Sequence, residues 1–191
     1  EGHPEVEGTM GRFDESFGGR IHLVESADDV QRLAVRDPAR VAIVTQTTLS
    51  VDDTAEIVAI LNERFPGIAG PMKEDICYAT TNRQDAVKQA APGADLFLIV
   101  GAPNSSNSKR LVEVAKRAGA TDAFLVQRAS EIDWLGVGSP RVLGLSAGAS
   151  APEIIVEEII EAFRARFEVT VDLAVTVEET EDFPVVRTLR D

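Results

Sequence analysis

From residue 20 onward, short apolar runs alternate with longer segments whose apolar positions recur at helical spacing. GRIHLVES (19–26) and RVAIVTQ (40–46) read as strands, the second centred on the compact run Val41 to Val44 between Pro38 and Thr45. A helix is predicted from Ser50, because Ser50 as N-cap with Asp53 three residues on is a variant of the capping box. Ile57, Val58, Leu61 and Phe65 then share one face, and Pro66-Gly67 ends the helix. Beyond Cys77, Thr80 or Thr81 can cap a helix running to about Ala91, where Pro92-Gly93 breaks it.

The second half repeats the scheme. DLFLIVG (95–101) is an apolar strand, APNSSNS a turn, and Leu111, Val112, Ala115 and Ala118 mark a helix closed by Gly119. AFLVQ (123–127) and RVLGLS (141–146) are further strands, with ASEIDWLG between them as a short helix whose Trp134 packs into the core. Ser150, Pro152 and Glu153 signal the start of a helix over 151–166, as N-cap, first-turn proline and capping-box acid. Alternating helices and apolar strands predict an α/β fold of parallel sheets covered on both faces. Gly67 to Lys73 is the expected boundary between two small α/β units, 1–73 and 74–166. FEVTVDLAVTVEE (167–179) alternates like an edge strand and FPVVRTLRD follows without a helix, so 167–191 reads as a tail that returns to pair elsewhere.

Composition narrows the function. A hydrophobic content of 44% suits a globular protein, and no apolar run is long enough to span a bilayer. A net charge of −13 without a Lys/Arg cluster argues against a nucleic-acid surface. It leaves room for a small anion, which backbone N–H groups and hydroxyls bind locally. A single cysteine, Cys77, fits a reducing compartment and excludes an intramolecular disulfide.

Three strand-to-helix turns share a composition: TQTTLS (45–50), APNSSNS (102–108) and SAGAS (146–150). In open parallel sheets ligands collect at the carboxyl ends of strands, facing helix N-termini whose free N–H groups favour anions. Ser, Thr and Asn at one such turn can be simple caps. Three turns, one with consecutive Ser105, Ser106 and Asn107, point to a polar anion pocket. Neither GxGxxG nor GxxxxGK[ST] occurs, which disfavours a dinucleotide or P-loop site. GHPEVEGTMG (2–11) puts His3 and Glu5 two apart on a Pro-fixed loop, a pair able to bind an anion and carry a proton. His22, within an expected strand, reads as structural. Cys77 can be a nucleophile, a buried filler or one ligand of a shared cluster, and composition does not choose among these.

Together GHPEVEGTMG, TQTTLSVDDT, EDICYATTNRQ, VGAPNSSNSKRL and LSAGASAPE, in this order, resemble the 4-hydroxy-3-methylbut-2-enyl diphosphate reductase (IspH/LytB) family from Glu1 to about Glu153. The resemblance implies three small α/β lobes in a trefoil-like arrangement around a [4Fe-4S] cluster. Each lobe would give one cysteine, and one iron would be left without a protein ligand. Cys77 would be one of those three ligands. His3 would contact the substrate diphosphate, Glu5 would deliver protons, and Thr47 would bind the substrate hydroxyl and help relay the proton. Ser105, Ser106, Asn107 and Ser150 would bind diphosphate oxygens. The implied reaction is a two-electron reductive dehydroxylation of an allylic diphosphate to isopentenyl and dimethylallyl diphosphate. Ferredoxin or flavodoxin would be the electron donor, in a bacterial cytoplasm or a plastid. SAGAS departs from the family pattern, where Thr is usual in place of Ser146, but the hydroxyl is kept.

The resemblance also implies a first lobe, with two more cluster cysteines and further histidines, that this chain lacks. The expectation is therefore two lobes plus a tail 167–191 that pairs with that lobe, and no activity in the isolated chain. The alternative of a different class is a phosphate-binding or scaffold module without redox chemistry. A cysteine hydrolase using Cys77 and His3 lacks a third orienting group.

Overall fold

The apolar run Leu96–Val100 is β1, the buried central strand of a three-stranded parallel sheet in the order β2-β1-β3, with β2 at Ala123–Val126 and β3 at Leu143–Ala147. A computed structural model describes residues 2–71 and 75–178. Side chains alternate across a strand, so β1 feeds two cores at once. Phe97 and Ile99 pack with Val87, Leu111 and Ala115, from α4 (Tyr78–Ala90) and α5 (Ser106–Arg117). Leu96, Leu98 and Val100 pack on the other face with Ile159 and Phe163 of α7 (Glu153–Arg164). Burial on both faces explains why the β1 sequence is apolar throughout. Phe97 lies in register with Gly144, where a Cβ would stand 2.2 Å from the Phe97 ring, so only glycine accommodates that ring.

β3 is fastened to β1 at its entrance. Asp95 Oδ2 accepts from the N–H groups of Arg141 (2.8 Å) and Val142 (3.0 Å). The bonds from Val142 and then Arg141 hold the Asp95 carboxyl below the usual carboxylate range. Between β2 and β3 the expected short helix is a 3-10 turn at Ala129–Glu131 and α6 at Trp134–Val137. Trp134 is half-buried against Phe163, ring centroids 5.0 Å apart, and beneath the Arg166 guanidinium at 3.9 Å.

The N-terminal part is organised around helices: α1 (Pro4–Arg12), α2 (Ala27–Arg32) and α3 (Val51–Arg64). Ser50 caps α3 as expected, accepting from Asp53 N–H at 3.2 Å, and the helix closes at Arg64 before Pro66. Val30, Leu61 and Phe65 form a third core with Val41, Ile43, Ile57 and Ile68. Arg64 donates to the carbonyls of Val30 and Leu33, fixing α3 to the end of α2.

Several expectations change. A second sheet is not formed among the described residues. The run 41–44 makes only a parallel bridge, Ala42 with Ala69, and 19–26 pairs with no strand. A ladder needs a neighbour along its whole length, and here a single residue supplies one. His22 is exposed rather than packed. α4 starts one turn early, with Cys77 as N-cap in place of Thr80 or Thr81. α7 takes Pro152, not Ser150, as N-cap, with no side-chain cap, and Ser150 is exposed in the preceding turn. Phe167 and Val169 pack under α7, but 168–178 forms no strand, leaving Leu173 85% exposed. The segment 179–191, and residues 72–73 at the end of the boundary expected over Gly67 to Lys73, lie outside the described residues.

Candidate active site

Four stretches far apart in sequence are linked in series by hydrogen bonds: Ser105 to Asn107 at the start of α5, the entry to α1, the turn 45–50, and Cys77 at the start of α4. His3 is the N-cap of α1, followed by Pro4 in the first turn, where a missing N–H costs nothing. Its Nδ1 accepts from Glu5 N–H at 3.2 Å. A ring nitrogen that accepts carries no proton, so in neutral His3 the proton lies on Nε2. Nε2 stands 2.7 Å from Ser106 Oγ, 103 residues away, to which it donates.

The Gln46 amide nitrogen lies 3.2 Å from the same Nε2 and donates to Thr48 Oγ1 at 2.8 Å. A half-turn of that amide would present its oxygen to Nε2–H instead, the orientation this tautomer favours. The Glu5 carboxylate points the other way, toward the 45–50 turn. Thr47 N–H donates to Oε1 and Thr47 Oγ1 to Oε2, each at 3.1 Å. Thr47 also accepts through its carbonyl from Cys77 N–H at 3.0 Å. One residue thus links the Glu5 carboxylate to the start of α4.

Cys77 is exposed, and its carbonyl receives the N–H groups of Thr80 and Thr81 while its thiol caps nothing. Among the described residues no group of three or more His, Cys, Asp or Glu is placed to hold a metal. Cys77, the single cysteine of the sequence, could give an iron–sulfur cluster one sulfur ligand, and the described residues group no further ligands with it.

Ser105 caps α5, its Oγ accepting from Ser108 N–H (3.2 Å) and Ser108 Oγ (3.0 Å), which leaves its own O–H to donate. Ser108 is buried in a cradle of two glycines: a Cβ at Gly101 or Gly148 would stand 2.2 Å or 2.1 Å from its Oγ. That cradle lets the first turn of α5 approach the ends of β1 and β3. Asn107 is 6% exposed, and neither its amide nitrogen nor its oxygen has a hydrogen-bond partner. An unpaired buried amide is costly, so this position suits a ligand that both donates and accepts or has bound water. Ser150 lies in the turn after β3, outside the hydrogen-bonded chain that joins His3, Glu5, Thr47 and Ser106.

Three polar residues beyond the expected set hold this arrangement. Gln46 contacts His3 as described. Asp75 Oδ2 accepts from Thr45 N–H at 2.6 Å, and Gln84, fully buried, bonds to both Val51 and Leu49. Each sits inside a motif that carries the family resemblance, but the amide or acid among the hydroxyls was the only local signal. Lys88 pairs with Asp52 and Arg117 with Asp53, both at 2.7 Å, tying the first turn of α3 to α4 and α5. These pairs are largely exposed and contribute little stability.

The sequence compares closely with known proteins. Relatives described as 4-hydroxy-3-methylbut-2-enyl diphosphate reductase include one from Mesorhizobium japonicum, 66% identical over 190 residues, covering 100% of this chain and 56% of the relative. One from Agrobacterium fabrum is 67% identical over 189 residues, covering 99% and 53%. The solved structure of the E-1-hydroxy-2-methyl-but-2-enyl-4-diphosphate reductase from Plasmodium falciparum superposes with a TM-score of 0.84 at 32% identity, over 94% of this chain and 55% of that one. The chain spans about half the length of the curated relatives it matches. Residues 1–164 match the family described as LytB protein, and the chain belongs to that family.

Proposed function

We propose that this chain supplies the diphosphate-binding and proton-delivering part of a 4-hydroxy-3-methylbut-2-enyl diphosphate reductase. The observation that carries the reading is the connected path from Ser106 through His3 to Glu5 and Thr47, ending at the backbone of Cys77. It joins an anion-binding helix start to a carboxylate and a candidate cluster ligand, the three functions this reduction needs.

In this reading the diphosphate lies over the first turn of α5. His3 Nε2–H, the hydroxyls of Ser105 and Ser106, and the Asn107 amide donate to its oxygens, with Ser150 contributing from the turn after β3. All these donors are neutral with His3 in its Nε2–H tautomer, and the α5 N–H groups add the favourable end of a dipole. His3 is oriented for this by its own cap bond. The buried Asn107 amide nitrogen, unpaired in this structure, gains an acceptor, and bound water can serve its oxygen.

The overall change is the loss of an allylic hydroxyl as water, with two electrons and two protons taken up. Hydroxide is a poor leaving group, so a proton must reach the oxygen as the bond breaks. Thr47 Oγ1 binds that hydroxyl, and Glu5 passes protons through the Thr47 contact. Because a hydroxyl can donate and accept, the Glu5 to Thr47 bond can reverse direction as the proton moves. A second proton at either end of the allyl unit gives isopentenyl or dimethylallyl diphosphate. When bound, a [4Fe-4S] cluster with Cys77 as one ligand supplies the electrons, received from ferredoxin or flavodoxin. Its remaining protein ligands would belong to a further lobe, against which residues 167–191 would pack, with 1–73 and 74–166 as the other two lobes.

The bacterial relatives support a cytoplasmic setting. No helix among the described residues is long and apolar enough to cross a membrane. The test is anaerobic turnover of 4-hydroxy-3-methylbut-2-enyl diphosphate by the full-length protein, meaning this chain completed to the length of its relatives. Formation of the two isomeric diphosphates is expected. Diphosphate binding without turnover would favour a binding module instead.

A further inference from the structure

The turn 45–51 and the segment 75–84 meet at four points. Asp75 Oδ2 accepts from Thr45 N–H (2.6 Å), and Thr47 carbonyl accepts from Cys77 N–H (3.0 Å). The other two contacts both come from Gln84. Its Oε1 accepts from Val51 N–H at 3.0 Å, and its Nε2 donates to the Leu49 carbonyl at 2.8 Å. Val51 is the first residue of α3, and its N–H has no partner within that helix. Gln84 is 0% exposed, on the second turn of the helix that begins at Cys77. A buried amide that engages both a donor and an acceptor on the same facing loop fixes distance and register together.

We propose that Gln84 is a positioning residue that sets the Thr47 turn against the Cys77 helix. It touches neither Glu5 nor the thiol. It acts by holding the loop that presents Thr47 Oγ1 in a fixed relation to the N-terminus of α4. Without the amide, Val51 N–H and the Leu49 carbonyl lose their partners, the turn loosens, and Thr47 no longer meets Glu5 and Cys77 at once. Displacements of about an ångström are enough to slow a positioned reaction severely. The diphosphate contacts proposed above lie at the starts of α1 and α5 and in the turn after β3, none of them bonded to Gln84, so loss of the amide weakens the Thr47 contact to the substrate hydroxyl and leaves diphosphate binding in place. The proposal rests on the reductase reading, and the experiment separates the two.

The full-length protein is compared with its Gln84→Leu and Gln84→Glu variants. Steady-state kinetics should show kcat reduced at least about tenfold in Gln84→Leu, with KM within about threefold of the parent. Iron per chain and cooperative unfolding should be unchanged. Amide exchange gives a readout independent of turnover. Protection should fall at Val51, which Gln84 contacts, and also at Cys77, which it does not. Gln84→Glu keeps the acceptor for Val51 but sets an oxygen against the Leu49 carbonyl. It should preserve Val51 protection while lowering kcat, and it carries the test should Gln84→Leu fail to fold. Parental kcat in both variants, or lost protection confined to Val51, would overturn the proposal. Absence of turnover in the parent would refute the reductase reading, while exchange at Cys77 would still decide whether Gln84 is the clamp.

Discussion

Glu5 and Thr47, 42 residues apart, are joined twice: the backbone N–H and the hydroxyl of Thr47 donate to the two oxygens of one carboxylate, each at 3.1 Å. The backbone bond fixes where the carboxylate sits, and in the proposed reaction the hydroxyl bond would be the proton path. Replacing the hydroxyl therefore separates the two roles. Thr47→Val keeps the shape and the N–H, so Glu5 stays in place without a relay. In the full-length protein its kcat should fall by about 10²-fold, the low end for a lost proton-transfer group. Thr47→Ser should recover most of the rate. Equal losses in both variants, measured at saturating substrate, would show that the hydroxyl is not the acting group.

The glycine cradle around Ser108 makes a prediction about packing. A Cβ at Gly148 meets mainly the Ser108 Oγ (2.1 Å), with the Ser108 Cβ at 3.3 Å, whereas at Gly101 both are close, at 2.2 and 2.6 Å. Gly148→Ala and Gly101→Ala should each destabilise by roughly 1–3 kcal/mol through overpacking. Adding Ser108→Ala should rescue much of the Gly148→Ala loss and little of the Gly101→Ala loss. Urea unfolding of the single and double variants measures both couplings.

Asp95 predicts a pH dependence of stability. Its carboxyl is held below its ordinary value of 3.8 by the N–H groups of Val142 and Arg141. The folded state therefore binds fewer protons than the unfolded state in this range, and stability rises with pH there. The contribution is fully present above 3.8 and is lost as pH falls through the lower folded value. Asp95→Asn, which retains an oxygen for both N–H groups, should flatten the fall in urea midpoint between about pH 5 and pH 2. An unchanged acid slope would exclude Asp95 as its source.

With one cysteine in 191 residues, the isolated chain should not assemble a stoichiometric four-iron cluster under anaerobic reconstitution. In the full-length protein, Cys77→Ser should lower iron per chain and cluster absorbance, and Cys77→Ala should lower them further. Parental iron content in Cys77→Ala would remove Cys77 from the ligand set.

The parts of this fold that were legible in the sequence are those set by local pattern and burial. Leu96–Val100 is apolar at every position because both faces of β1 are covered, and Ser50 stands as a cap at the start of an amphipathic helix. Strand pairing was less legible. Val41 to Val44 has strand composition but among the described residues bridges only to Ala69, and pairing is decided by chain segments the local sequence does not specify. Caps chosen by side-chain chemistry also moved: backbone geometry ends the turn before α4 at Cys77, so Thr80 and Thr81 become donors to it. At the site, the polar segments stood out individually. Their meeting did not, because nothing local in GHPEVEG announces that His3 reaches Ser106 and Glu5 reaches Thr47. Gln84 was hidden for the same reason, its importance lying wholly in a loop 33 and 35 residues away.

The most direct test of the account is Glu5→Gln in the full-length protein, with turnover and substrate binding measured on the same anaerobic preparation. The amide keeps an oxygen for Thr47 but cannot supply the proton. The account predicts unchanged iron content, substrate affinity within about threefold of the parent, and turnover reduced by at least about 10²-fold. Parental turnover with bound cluster and substrate would contradict it.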